Sequence, residues 1–169
     1  MKHLLILTLV IPFFLSCNNG ETGGSKEGKA KVNITPPNPK TPQQTRVIRV
    51  LTTNYWIVNM FIQIKHHELN RVNQGRWYKF NKDGTFEVGR FSETISKGGW
   101  RFYYSGEDAL VELDAENPEE DGAWKIKIAS DESIMIWVGT EQYGSNSIQQ
   151  RLENLLFIPK NRKEMGLDE

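Results

Sequence analysis

The chain has 169 residues, enough for one domain together with a targeting segment and a tether. Its 21 Lys and Arg residues balance 21 Asp and Glu residues, so there is no basic surplus of the kind that marks nucleic-acid-binding proteins. The single cysteine excludes a disulfide within one chain and any cysteine-based metal cluster.

The first sixteen residues have the three parts of an export signal. Met1–His3 is a short, positively charged start, Leu4–Leu15 is an apolar run, and Ser16 precedes a cleavage point at Cys17. Twelve helical residues rise only about 18 Å, whereas the hydrocarbon core of a bilayer is roughly 30 Å thick. Residues 1–16 are therefore predicted to be a signal peptide rather than a transmembrane helix.

The segment Phe14-Leu15-Ser16-Cys17, followed by a polar stretch, resembles the signal of bacterial lipoproteins. That resemblance implies cleavage before Cys17, a diacylglycerol on its sulfur, and an acyl chain such as palmitate on the new amine. The protein would then be held in the bacterial cell envelope, at the outer membrane or periplasmic face, with the membrane as its first partner. The alternative is an ordinary secreted protein in which the cysteine is a coincidence.

Residues 17–45 are rich in glycine and then in proline and contain no aromatic residue. Such a segment cannot bury enough apolar area to offset the entropy of ordering it, so we expect a flexible linker that follows the lipidated cysteine. Residues 35–42 should be stiffer and partly polyproline II. The linker is interpreted as a spacer, with a proline-rich docking peptide as the alternative.

Residues 46–160 are dense in aromatic and β-branched residues and carry turn signals about every ten residues, which predicts an antiparallel all-β domain. The clearest hairpin turns at Asp83-Gly84, and the cleanest alternation is Trp124–Ile128 with Lys125 and Lys127 facing water. Eight strands are expected, within or near 50–64, 77–80, 85–88, 97–104, 109–114, 124–128, 134–138 and 150–158.

The connections are short except the one across 65–74, which predicts neighbouring hairpins that close into an eight-stranded up-and-down barrel. A barrel of this size holds packed side chains or one small ligand. A small sandwich with crossover connections is the competing architecture. The last segment, 150–158, is interpreted as a strand, with a short helix as the alternative, and 161–169 is a polar C-terminal tail.

Within this domain, Trp77-x-x-Phe80-x-x-Asp83-Gly84-Thr85-Phe86 and the later Gly98-Gly99-Trp100 resemble the lipocalin-like domains of bacterial lipoproteins. Those domains open on a strand that carries a tryptophan, here Trp56. The lipocalin signature Gly-x-Trp reads Asn54-Tyr55-Trp56 in this chain, so the resemblance is to the looser bacterial group rather than to the secreted lipocalins. It implies a barrel with an apolar pocket.

Aromatic walls with a few polar groups are typical of small-ligand sites. The candidate ligand-binding residues are those expected at mid-strand, where inward side chains meet: Trp100, Phe102, Trp124 and Trp137. The alternative role of these side chains is to fill the barrel core.

Neither a metal site nor a catalytic site is predicted. His66-His67-Glu68 lacks the spacing of a helical zinc motif, and the acidic run 114–122 does not fit a calcium loop. Nucleophile elbows, phosphate-binding loops and dinucleotide fingerprints are missing from the sequence, so no cofactor is expected and the protein is predicted not to be an enzyme. A hydrolase with a carboxylate pair assembled by the fold is the weakest alternative.

The sequence therefore predicts a lipid-anchored envelope lipoprotein whose barrel binds a small, largely apolar ligand. The runner-up is an accessory module that binds an envelope protein through its outer surface and has a solid core. No nucleic-acid partner is expected.

Overall fold

A computed structural model describes residues 34–167. The predicted signal peptide, Cys17 and the linker up to residue 33 lie outside the described residues. The described part contains eight strands: β1 Tyr55–Gln63, β2 Arg76–Phe80, β3 Thr85–Arg90, β4 Glu93–Ser105, β5 Asp108–Ala115, β6 Gly122–Ile128, β7 Ile134–Gly139 and β8 Ile148–Leu155. There are also two α-helices, α1 Pro42–Leu51 and α2 Leu69–Asn73, and three 3-10 helices, Pro118–Glu120, Glu141–Tyr143 and Lys163–Met165.

Each strand pairs antiparallel with the next, and β1 pairs with β8 to close the barrel. The predicted eight-stranded up-and-down barrel is confirmed, and the sandwich alternative is wrong. The predicted Asp83-Gly84 turn has Gly84 at a φ of 88°, a conformation that glycine adopts without steric cost. The last segment is a strand, as predicted, but it ends at Leu155, before the predicted end at residue 158.

The up-and-down order gathers alternate connections at opposite ends of the barrel. One end, the α1 end, carries α1 and the turns that follow β2, β4 and β6. The other end, the loop end, carries the longer β1–β2, β5–β6 and β7–β8 connections with α2 and two of the 3-10 helices. The described residues include no helix long and apolar enough to span a membrane.

Inward side chains fill the middle of the barrel with aromatic rings. Trp137 is fully buried, and its ring centroid lies 4.7 Å from that of Tyr78 and 5.6 Å from that of Trp124. Phe80 lies beneath, 6.1 Å from Trp137 and 5.2 Å from Trp100. Aromatic pairs at 4.5–7 Å attract one another beyond the area they bury, so the rings make a packed core rather than a hollow.

The α1 helix closes one end of the barrel. Its first turn is capped by Thr41, whose hydroxyl accepts a hydrogen bond from the backbone N–H of Gln44 at 3.1 Å, and Pro42 occupies the first turn. The last turn buries Val50 and Leu51, and the indole of Trp56 donates to the carbonyl of Leu51 at 3.2 Å. The helix thereby covers the ends of the inward side chains.

The position of α1 differs from the sequence analysis. The helix begins inside the segment 17–45 that was predicted as linker and ends at Leu51, where the first strand was expected to have begun. The composition of residues 41–45 is polar enough for a linker, but the cap and the apolar residues one turn apart at Val47, Val50 and Leu51 make a helix that packs on the barrel.

The seam between β1 and β2 is the shortest strand pairing in the barrel. Only Trp56↔Tyr78 and Ile57↔Trp77 pair directly, after which β1 bulges between Val58 and Met60. Beyond the bulge, side-chain amides bridge the gap: Asn70 of α2 accepts from the backbone N–H of Phe61 at 2.8 Å, and Gln74 donates to the carbonyl of Asn59 at 3.3 Å. The predicted C-terminal tail packs here too, since Arg162 donates to Gln74 at 3.1 Å.

Replacing Leu51 by Ala should lower the free energy of unfolding by about 2–5 kcal/mol, because a fully buried side chain at the end of the core would leave a cavity. Val72→Ala is the control, since that side chain is exposed and its loss should change stability by no more than about 0.5 kcal/mol. Urea unfolding followed by tryptophan fluorescence measures both. Equal stabilities of the two variants would mean that α1 does not close the barrel.

Candidate functional site

A pocket of about 250 Å³ lies at the loop end of the barrel and is here called the mouth pocket. Aromatic side chains on inward strand positions form its floor, and the β5–β6 and β7–β8 connections form much of its rim. Its lining residues are Phe61, Asn73, Arg76, Tyr78, Glu119, Glu120, Asp121, Trp124, Tyr143, Gly144, Ser145, Ile148 and Gln150.

The floor is held rigidly by the core beneath it. Tyr78 on β2 and Trp124 on β6 both touch Trp137, whose buried ring lies under them. Gly139, which pairs with Trp124, approaches the Ser145 carbonyl so closely that a Cβ there would lie 1.9 Å from it. The β7–β8 connection therefore packs closely against the end of β7, where it borders the pocket.

One wall is an ion pair between Arg76 and Glu120. Arg76 lies at the start of β2, and its guanidinium also donates to the Tyr78 hydroxyl at 3.2 Å. Glu120 ends the 3-10 helix Pro118–Glu120, whose first turn is capped by the side chain of Asn117. Both charged side chains are mostly buried, so the pair fixes the β5–β6 connection beside the pocket.

Gln150 is the most unusual residue of the site. It occupies an inward position of β8 between Phe61 on β1 and Trp137 on β7, and only 3 % of it is exposed. Its Oε1 atom has no hydrogen-bond partner among the described residues. A buried acceptor without a donor costs about 1–3 kcal/mol, which makes Gln150 a candidate contact for a ligand that carries a donor.

A second polar cluster fixes the β7–β8 connection from outside. Glu112 on the outer face of β5 is 5 % exposed and accepts from the guanidinium of Arg101 at 2.6 and 2.9 Å. Tyr143 donates its hydroxyl to Glu112 at 3.2 Å. Burial of the phenol, followed by the nearby Glu112 carboxylate, raises the pKa of Tyr143 to about 12. Tyr143 thus stays protonated and anchors the loop that borders the pocket.

The structure brings together only some of the residues predicted from the sequence. Trp124 lines the mouth pocket and Trp137 supports it from below. Trp100 is buried against Phe80, and its indole donates to the Asn81 carbonyl at 3.0 Å, toward the α1 end. Phe102 is half-buried and packs on Tyr104, also toward that end. Among the described residues these two do not border the mouth pocket, and their role as ligand-binding residues stays a prediction.

A larger pocket, about 470 Å³, lies at the α1 end between α1 and the turn after β4. Many of its lining residues have charged side chains that are exposed to solvent. They include Lys127 and the surface ion pair of Lys125 with Asp108 at 2.7 Å. Within residues 34–167, the buried polar atoms that lack a hydrogen-bond partner all belong to residues outside the lining of this pocket. Size alone favours this pocket, but the unsatisfied Gln150 acceptor and the buried ion pair make the mouth pocket the better candidate.

The sequence analysis missed Gln150 and Arg76 as site residues. The signal for Gln150 lies in the β8 alternation, because it occurs between Ile148 and Leu152 at a position where an apolar residue is expected. The acidic run 114–122 was considered only as a calcium loop. Across residues 34–167 no cluster of three or more potential metal ligands is found, and the ring of His66 lies 3.3 Å from Glu68 on the surface.

Comparisons with known proteins found one similar solved structure. No protein-family model matches the chain, and no curated protein matches it. Among solved structures, a DUF4847 family protein from Bacteroides vulgatus matches with a TM-score of 0.45 and 12 % identity, over 66 % of this chain and 99 % of that one.

Replacing Glu112 by Gln should lower the pKa of Tyr143 from about 12 toward its ordinary value of 10, because it removes the neighbouring negative charge. A folded-state pKa above the unfolded value means that stability falls as pH rises from about 10 to 12, and this fall should be smaller in the variant. Ultraviolet titration of tyrosinate, with Tyr143→Phe to identify the transition, measures the shift. An unchanged transition in Glu112→Gln would show that the carboxylate does not act on Tyr143.

Proposed function

We propose that the protein is a lipid-anchored lipoprotein of the bacterial cell envelope whose barrel binds a small, largely apolar molecule in the mouth pocket and performs no chemistry on it. The observation that carries the proposal is a concave site with an aromatic floor and one buried, unsatisfied acceptor, Gln150. Small-ligand sites combine aromatic and apolar walls with polar groups that orient the ligand, and the mouth pocket contains both.

The filled interior limits the size of the ligand. Because Trp137, Phe80 and Trp100 occupy the middle of the barrel, a ligand enters only as far as the Tyr78 and Trp124 rings. A volume of about 250 Å³ lies just below the usual range of about 300–1,000 Å³ for drug-sized ligands, which favours a molecule with one ring or a short branched chain.

The anchor rests on Cys17 and the signal that precedes it. The barrel geometry is compatible with that attachment, because the described chain approaches at the α1 end, where Thr35 contacts Gly84 and α1 begins at Pro42. The mouth pocket lies at the opposite end of the barrel.

A second candidate function is supported by the outer wall. Met60 and Ile62 on β1 are 46 % and 44 % exposed and border a shallow groove of about 110 Å³ with Ile136 on β7. Exposed apolar side chains grouped in this way are typical of protein-interaction surfaces. The filled core also fits a barrel that works through its surface, as an accessory module for an envelope protein.

Native mass spectrometry of the exported protein should reveal an additional noncovalent mass that disappears on denaturation. Ile148→Trp should abolish this mass, because the larger side chain fills the mouth pocket from β8. Ile62→Trp is the matched control, since it makes the same change on the outer wall. A bare chain in the unsubstituted protein, even after incubation with fatty acids and other small apolar molecules, would favour the accessory module.

Replacing Cys17 by Ala should block acylation and leave the protein unprocessed or outside the membrane fraction, because the sulfur that accepts the lipid is gone. Labelling with radioactive palmitate and fractionation of the host envelope measure both effects. Ser25→Ala in the linker is the control and should fractionate as the unsubstituted protein does. Identical labelling and fractionation of Cys17→Ala would exclude the anchor.

A further inference from the structure

We infer that the mouth pocket selects a small organic cation, an ammonium group carried on an apolar body of about one ring. This inference rests on the proposed function, because it names the class of ligand for the same pocket. It follows from three independent properties of the lining: its charge, its unpaired acceptor and its aromatic floor.

The lining has an excess of negative charge. Arg76 is the one cation among the lining residues, which also include Glu119, Glu120 and Asp121, so the formal charge of the lining residues is −2. The ion pair with Glu120 uses the guanidinium. Asp121 accepts a hydrogen bond from the backbone N–H of Ala115 at 2.8 Å, which positions its carboxylate but does not neutralise it. An anionic ligand would be repelled here, whereas a cation gains attraction at close range.

Other acidic residues near the rim of the pocket add to the negative charge of the lining. Glu112 and Asp114 on β5, together with Asp121, disfavour a negative charge on Tyr143 and thereby help to raise its pKa. Tyr143 borders the pocket, and its hydroxyl donates to Glu112 on the outer face of β5, so these acids lie next to the rim. The effect on the phenol is secondary to its burial, but its direction agrees with the charge of the lining.

The unpaired acceptor requires a donor. Gln150 borders the pocket and is more than nine-tenths buried, and its Oε1 atom has no hydrogen-bond partner among the described residues. An N–H or O–H of the ligand would satisfy it, whereas a carboxylate would bring only further acceptors. A protonated amine supplies both the donor and the positive charge, as other protonated nitrogen groups do.

The aromatic floor of the pocket favours an organic ligand. Tyr78 and Trp124 present aromatic rings, and Phe61 and Ile148 add apolar surface. The Arg76 guanidinium already lies 5.9 Å from the centroid of the Tyr78 ring. Because ring faces attract cations, Trp124 is the floor ring that remains for the ammonium group, and the apolar surface buries the carbon skeleton of the ligand. A bare metal ion does not fit, because no cluster of three or more ligating side chains exists within residues 34–167.

Three probes of one shape and different charge test the inference: 2-phenylethylamine, 2-phenylethanol and phenylacetate. The chain as the expressing cell processes it is first dialysed exhaustively and then brought to equilibrium with each probe at pH 7. The amine should bind at least about tenfold more tightly than phenylacetate, with the alcohol between them, since tenfold corresponds to about 1.4 kcal/mol. Ile148→Trp should bind none of the probes above the level of partition into any accompanying lipid.

Two sets of variants separate the contribution of the Gln150 acceptor from that of the negative charge. Gln150→Leu removes the acceptor and a buried unsatisfied group, so it should fold at least as stably while its affinity for both the amine and the alcohol falls. Glu119→Gln combined with Asp121→Asn removes two charges and keeps an oxygen for the Ala115 N–H, so it should weaken the amine alone. Glu116→Gln, an exposed acid outside the lining, is the matched control.

The outcomes distinguish the two proposals. Phenylacetate or the alcohol binding as tightly as the amine would overturn the cation inference and leave a ligand-binding barrel in place. Binding of the amine that neither set of variants changes would overturn it as well. If no probe binds and native mass spectrometry shows a bare chain, the proposed function itself fails.

Discussion

The pairing of β1 with β8 is the constraint on which the rest of the structure depends. Seven consecutive connections alone would give an open sheet with two unpaired edges, each a template for association with another chain. The ladder from Tyr55↔Leu155 to Gln63↔Ile148 joins these edges and encloses the inward face of every strand. Closure also fixes the size of the interior, since the diameter of a barrel follows from its strand number.

That interior is filled, and the filling determines where a ligand can lie. The rings packed around Trp137 fill the middle of the barrel. The helix α1 covers one end with Val50 and Leu51. In the part of the chain that the structure describes, the helix at the loop end, α2, buries none of its residues fully. The connections at that end converge through polar contacts, the Arg76–Glu120 pair and the Tyr143–Glu112 hydrogen bond, which hold the rim while leaving the concavity between them accessible.

Local pattern predicted the barrel well, and it predicted the site only in part. Turn residues such as Asp83-Gly84 and alternation such as Trp124–Ile128 reflect interactions between residues close in sequence. The strands and their order could therefore be predicted from the sequence. Aromatic content alone does not distinguish Trp124 at the mouth from Trp100 in the core, because both are inward residues at mid-strand. The difference arises from where each strand meets the barrel end, which depends on the three-dimensional register.

The helix α1 illustrates a different limit. Its residues 42–45 continue the polar, proline-containing composition of the linker, and only the packing of the following turn on the barrel makes the segment helical. The acidic β5–β6 connection shows a similar dependence on context. A solvated turn and a charged wall of a pocket have the same sequence, and the position of Arg76 across the barrel mouth decides between them.

The short seam between β1 and β2 has a consequence for how this protein can diversify. Elsewhere in the barrel, an insertion within a strand would shift a ladder and turn its inward residues outward. Past the bulge in β1, however, the wall is completed by α2 and by the side-chain amides of Asn70 and Gln74 rather than by a ladder. This segment can therefore accept substitutions and changes of length while the register of all eight strands is preserved. Since Asn73 of the same segment borders the mouth pocket, substitutions here can change the lining of the pocket while the strand register is kept.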